Sequence, residues 1–228
     1  MGPALSQREA SEAVHDDGWR LVLGALCAFV SVGSLREAAG LAVDAVEACG
    51  EADGHLQVDI RPERVVFTVQ SADQAAVTAR DVDLAHRIST AVRAAGAVTQ
   101  PEIGTGAPRC VQLLEIAIDA LDIAGVRPFW KAVLGYADGP DAGGPEDPLV
   151  DAVGQGPAVW FQQMDQARPQ RGRIHFDVSV PHDEAPRRVE AALAAGGRLV
   201  SADSAPAFWV LADREGNEAC VSTWQGRD

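Results

Sequence analysis

Lysine is almost missing from this 228-residue chain: Lys131 stands alone among 19 basic residues, against 33 acidic ones, for a formal charge of −14. That excess of negative charge repels phosphate backbones and anionic lipid, so neither nucleic acid nor a membrane surface is expected as a partner. Long apolar runs are missing too. The longest, around Leu21–Val32, is interrupted by Gly24 and too short to span a bilayer. The opening stretch MGPALSQREASEAV is polar and acidic, unlike a signal peptide, and a cytoplasmic location is expected. Cys27, Cys49, Cys110 and Cys220 are scattered with no C-x-x-C spacing. This argues against a zinc knuckle or a disulfide framework and leaves buried free thiols. No P-loop, dinucleotide glycine fingerprint or Ser/His/Asp arrangement occurs, and no cofactor is expected.

What is present is an ordinary globular balance, 47% hydrophobic and 23% charged, in a chain long enough for two domains. Ser6 and Glu9 form a capping box for a first helix ending at Gly18. Trp19–Leu23 and Ala25–Val32 read as strands around Gly24. Ser34 opens a long helix to Cys49, with Leu35, Ala38, Ala39, Ala42, Val43 and Val46 as its apolar stripe. GHLQVDIRPERVVFTVQSAD (54–73) alternates as a hairpin, with Val65, Phe67 and Val69 on one face and Val66 and Thr68 on the other. Thr78 then caps a helix over Ala79–Ala95, with Asp81 at its third position.

Ala97–Arg109 carries two prolines and two glycines without periodicity, and reads as a linker between domains at 1–96 and 110–228. Beyond it the pattern is a strand at Val111–Ile118, a helix at Val126–Leu134, and strands at Leu149–Val153 and Ala158–Met164. A strand at Arg173–Val180, a helix at Glu184–Ala195 and three closing strands follow. The order β-α-β-β then β-α-β-β-β is a duplicated motif, and the whole chain is expected to be α+β.

Three ordered stretches give the second half a family likeness: ALDIAGVRPFWKAVLGY (120–136), RIHFDVSV (173–180) and FWVLADREGNEACV (208–221). With them, Cys110–Asp228 resembles the vicinal oxygen chelate superfamily, the glyoxalase and bleomycin-resistance type of fold. LSQREASEAVHDDGWRL, the hairpin above and VTARDVDLAHRI give Leu5–Gly96 a resemblance to pterin-4a-carbinolamine dehydratases. That family shows HHP entering the hairpin and THD leaving it, where this chain has Gly54-His55-Leu56 and Ser71-Ala72-Asp73.

The dehydratase resemblance implies that His55 serves the substrate pocket, with Asp73 orienting it or the ligand. Imidazole suits the reaction because its pKa lies near neutrality. With Gly54 and Ala72 at the other histidine positions, a degenerate, ligand-binding site is expected ahead of an efficient lyase. In the second domain the superfamily's metal centre draws one donor from each of four strands, and counting gives Glu115, Gln162 or Gln163, Arg173 and Cys220. Arginine cannot coordinate, so a metal-free ligand pocket is expected. Its lining is Glu115, Trp160, Gln162, Arg173, His175, Asp177, Trp209 and Cys220, with Phe161 and Phe208 adding flat apolar surface. Two simultaneous two-residue slips, one to His175 and one to Glu218, would instead offer Glu115, His175 and Glu218 to a metal. Asp213 and Asn217 are expected to shape the turn around Gly216. The partner implied is a small molecule, and both families imply a homodimer.

Overall fold

The computed structural model describes residues 2–101, 111–139, 144–168, 172 and 174–226. The chain divides into two compact units, Met1–Leu113 and Leu114–Asp228. Among the described residues there are five α-helices and three four-stranded sheets, an α+β protein.

In the first unit α1 (Gln7–Val14) begins at the capping box, Ser6 and Glu9 bonding each other's backbone N–H. β1 (Arg20–Val22), β2 (Ala25–Ser31), β3 (Leu56–Arg61) and β4 (Arg64–Val69) form an antiparallel sheet in the order β1-β2-β4-β3. The alternation of β4 is as its sequence predicts: Val65, Phe67 and Val69 are fully buried, and Val66 and Thr68 lie on the other face. α2 (Leu35–Cys49) and α3 (Ala79–Ala94) pack on that buried face, where Leu41, Ala45, Leu84, Ile88 and Val92 meet Leu26, Val30 and Phe67. Trp19 is sunk in this core with its Nε1–H donating to Ser89 Oγ at 2.8 Å, so its one polar atom is satisfied.

α2 is rotated from its expected stripe. It buries Ala38, Leu41, Ala42, Ala45 and Cys49, leaving Leu35, Val43 and Val46 exposed. The small face of the helix turns inward because alanines let it approach α3 and the sheet closely. The start of the segment read as a linker is bonded into this unit. Phe29 and Gln100 exchange backbone hydrogen bonds at 2.8 and 2.9 Å, and Thr99 Oγ1 donates to the Asp17 carbonyl at 2.6 Å. Val111 packs with Ala25, Cys27 and Phe29 on the sheet face away from the helices.

The second unit is two βαβββ modules. The first comprises β5 (Glu115–Ala120), α4 (Ile123–Leu134), β6 (Ala137–Asp138), β7 (Leu149–Val150) and β8 (Ala158–Gln163), in sheet order β5-β8-β7-β6. The second comprises β9 (Phe176–Ser179), α5 (Ala185–Ala194), β10 (Arg198–Ser201), β11 (Phe208–Ala212) and β12 (Glu218–Ser222), in the order β10-β11-β12-β9. First and last strands of each module pair in parallel, so the duplication is complete. The two-residue β6, hidden in a loop-like sequence, supplies the strand missing from the sequence pattern. α4 also starts earlier than its periodicity implied, because Asp122 caps it by accepting from the Gly125 N–H at 3.0 Å. Gly135 ends it in the left-handed region, φ 72°.

One core joins the modules. Trp130 stacks edge-on against Phe129 and Phe176, and its Nε1–H donates to buried Asp213 at 3.0 Å. Asp213 also accepts from the backbone of Glu215 and Asn217 and from the Asn217 side chain, each at 2.9 Å. It is thus the turn-shaping group expected of it.

Candidate functional sites

His55 sits immediately before β3, its side chain 11% exposed. The hairpin fixes it, since its carbonyl accepts from Gln70 N–H at 2.9 Å and its N–H donates to the Ala52 carbonyl at 3.0 Å. Its ring is held by Asp81, whose Oδ1 lies 2.7 Å from Nδ1. The orienting carboxylate is therefore Asp81, in the first turn of α3. Asp73, expected in that role, lies exposed in the turn after β4. Asp81 is fully buried, and its Oδ2 accepts from Ser71 Oγ at 2.8 Å and from both the backbone N–H and Oγ1 of Thr78 at 2.7 Å. Ser71 Oγ also lies 3.3 Å from His55 Nδ1.

Burial pushes the Asp81 carboxyl upward, but the hydrogen bonds from His55, Thr78 and Ser71 outweigh it and hold the group below the usual carboxylate range. Asp81 is therefore an anion at neutral pH. It occupies Nδ1 and leaves Nε2 as the nitrogen that can face a ligand, the geometry of an oriented acid–base histidine. Gly54 and Ala72 flank it, tied by a hydrogen bond from the Ala72 N–H to the Gly54 carbonyl at 2.9 Å. Neither carries a group that could share the proton work. His86 lies elsewhere on α3, half-exposed and paired with Asp17 at 2.8 Å.

In the second unit the strand parity sorts the expected pocket residues. Ile116, Ile118, Val159 and Phe161 face the helices, so Glu115 and Ala117 on β5 and Trp160 and Gln162 on β8 lie on the opposite face. Trp160 is 36% exposed, and Glu115 and Gln162 are exposed. On the other sheet Phe176, Leu211, Ala219 and Val221 face the core, placing Asp177 and Cys220 together on the far face as register partners. Trp209, paired with Val221, packs against the core, so the expectation that it lines the pocket is corrected. Phe161 is corrected likewise. Neighbours along a strand cannot share a face, so of the two aromatic pairs only Trp160 and Phe208 remain on the side away from the helices. Arg173 lies outside the described residues.

His175, just before β9, Asp177 and Cys220 do come together. Their ligand atoms all lie within 4.8 Å of one another, with His175 Nε2 3.6 Å from Asp177 Oδ1. His175 and Asp177 are exposed and Cys220 is buried. The four-strand donor set implied by resemblance does not fit these residues, because β8 offers an amide and neither Glu115 nor Glu218 belongs to the cluster.

With this geometry in place, two family models match the chain: pterin 4 alpha carbinolamine dehydratase over residues 3–91 and the glyoxalase-like domain over residues 115–222. No curated protein matches. Among solved structures, a transcriptional coactivator/pterin dehydratase from Brucella melitensis is 23% identical, covering 39% of this chain and 98% of its own, with a TM-score of 0.36. A glyoxalase/bleomycin resistance protein/dioxygenase family enzyme from Burkholderia phytofirmans PsJN is 17% identical over 48% of this chain and 95% of its own, TM-score 0.36. The fosfomycin resistance protein FosX from Listeria monocytogenes is 14% identical over 49% of this chain and 89% of its own, TM-score 0.38. The chain is a two-domain protein, a pterin-4a-carbinolamine-dehydratase-like domain followed by a glyoxalase-like domain.

Proposed function

We propose that this protein handles a small hydroxylated heterocycle of the carbinolamine type in its first domain, through one histidine where the dehydratase pattern has several. The observation that carries the reading is the His55–Asp81 pair. A buried carboxylate with all its bonds made holds one ring nitrogen and leaves the other to a ligand.

A single imidazole can complete a dehydration in two strokes. Protonated His55 gives its Nε2 proton to the hydroxyl of the carbinolamine. The C–O bond breaks to release water, and the ring nitrogen's lone pair closes a C=N bond. Neutral His55 then takes the proton from that nitrogen, restoring its starting state and leaving the imine. Asp81 keeps the ring in register through both strokes and is the counter-charge while the imidazolium exists. Gly54 and Ala72 contribute nothing to either stroke, so turnover is expected to be slow.

A binding-only reading rests on the same two residues, and one assay separates the pair. Following the loss of a pterin carbinolamine with purified full-length protein, turnover above the spontaneous rate that His55→Ala abolishes supports the proton-transfer reading. Saturable binding with no turnover supports sequestration, and neither binding nor turnover overturns both. The second domain, with Trp160 beside Glu115 and Gln162, fits a pocket for a flat or cationic small molecule.

A further inference from the structure

The cluster on the second module's sheet is independent of the histidine site in the first domain. We propose that His175, Asp177 and Cys220 bind one borderline divalent transition metal of the zinc class, as three protein ligands with a fourth position left for water or a small ligand. Two strands build it. β9 contributes Asp177, with His175 two residues earlier on the same face, and the parallel pairing of β9 with β12 makes Cys220 the register partner of Asp177. All three ligand atoms fall within 4.8 Å of each other, so a tetrahedral centre with metal–ligand distances of about 2.0–2.3 Å needs only small side-chain rotations.

The donor chemistry selects the metal. An imidazole, a carboxylate and a thiolate form a mixed N/O/S set that suits zinc, cobalt or nickel, while magnesium and calcium demand oxygen. Binding replaces the Cys220 S–H proton by the metal ion and releases that proton, with no redox change. The sulfur sits at the buried end of the cluster and the other two ligands at the solvent end. Entry from solvent past His175 and Asp177 and a soft anchor beneath them are both in place. This donor set differs from the four-strand arrangement, since both modules need not contribute and Glu115 takes no part.

The test is a cobalt titration of the full chain after stripping with a chelator, read by absorbance. One equivalent is expected to bind, with a near-ultraviolet thiolate-to-cobalt charge-transfer band and intense visible bands of a four-coordinate ion. Cys220→Ser is expected to remove the charge-transfer band, and His175→Ala, a change at an exposed position, to weaken affinity about 10-fold or more. Circular dichroism confirms that each variant is folded. Absence of saturable one-to-one binding, or a charge-transfer band that survives in folded Cys220→Ser, overturns the proposal. So does an affinity unchanged by His175→Ala.

Discussion

The two candidate sites are built on opposite economies. In the first domain the polar groups are packed inside: Asp81 is fully buried and takes hydrogen bonds from His55, Ser71 and Thr78. In the second, His175 and Asp177 stand more than half exposed and only Cys220 lies beneath them. A buried carboxylate bonded in this way is tied to the fold, because losing any partner strands charge in a dry place. An exposed cluster costs folding little and can be tuned or lost freely. The same contrast explains why one site reads as a rigid acid–base pair and the other as a ligand set completed by what it binds.

Substitutions can break that contrast, beginning with the strongest. Asp81→Ala should cost about 3–5 kcal/mol, seen as a lower urea midpoint for the first domain, because it removes both the capping-box carboxylate that holds Thr78 at the start of α3 and the anchor of His55. A loss under 1 kcal/mol would show that the pair carries little stability. His55→Ala should cost about 1–3 kcal/mol in the same urea titration by leaving Asp81 one partner short, and under the proposed dehydration it should abolish turnover of a carbinolamine.

Acid should sharpen the difference. The folded state holds Asp81 below the ordinary carboxylate range, so it binds fewer protons than the unfolded chain as pH falls through that range. Its stabilising contribution is therefore complete at neutral pH and is lost as pH drops toward the folded value. Thermal melts should show this loss in the native chain and a flatter acid limb in Asp81→Asn. The smallest effect belongs to the second site: Asp177→Asn should change stability by no more than about 0.5 kcal/mol, checked by the same melts.

Much of this was legible in the sequence, and the failures have physical causes. The hairpin and the three helix starts of the first domain follow from alternation and from the caps Ser6 (with Glu9), Ser34 and Thr78. Asp81 was visible only as a helix-start residue. Its Oδ1 reaches back 26 positions to His55, a contact that no local pattern encodes. Phe208 and Trp209, like Trp160 and Phe161, are alike in composition, but strand pleating sends each neighbour to the opposite side. β6 escaped notice because two residues carry no period. The inward turn of α2 went unseen because alanine-rich faces score as weakly apolar yet pack most closely.

The β11–β12 turn has a bearing on how this chain could be dissected. Glu215 accepts from the backbone N–H groups of Leu121 and Asp122 at 2.6–3.0 Å, while Asp213 anchors Trp130. The last hairpin thus fastens the entrance of a helix almost a hundred residues upstream. Neither half of the glyoxalase-like domain is a free-standing piece, and a fragment ending between the modules would carry α4 with its start unlatched and its tryptophan without a mate.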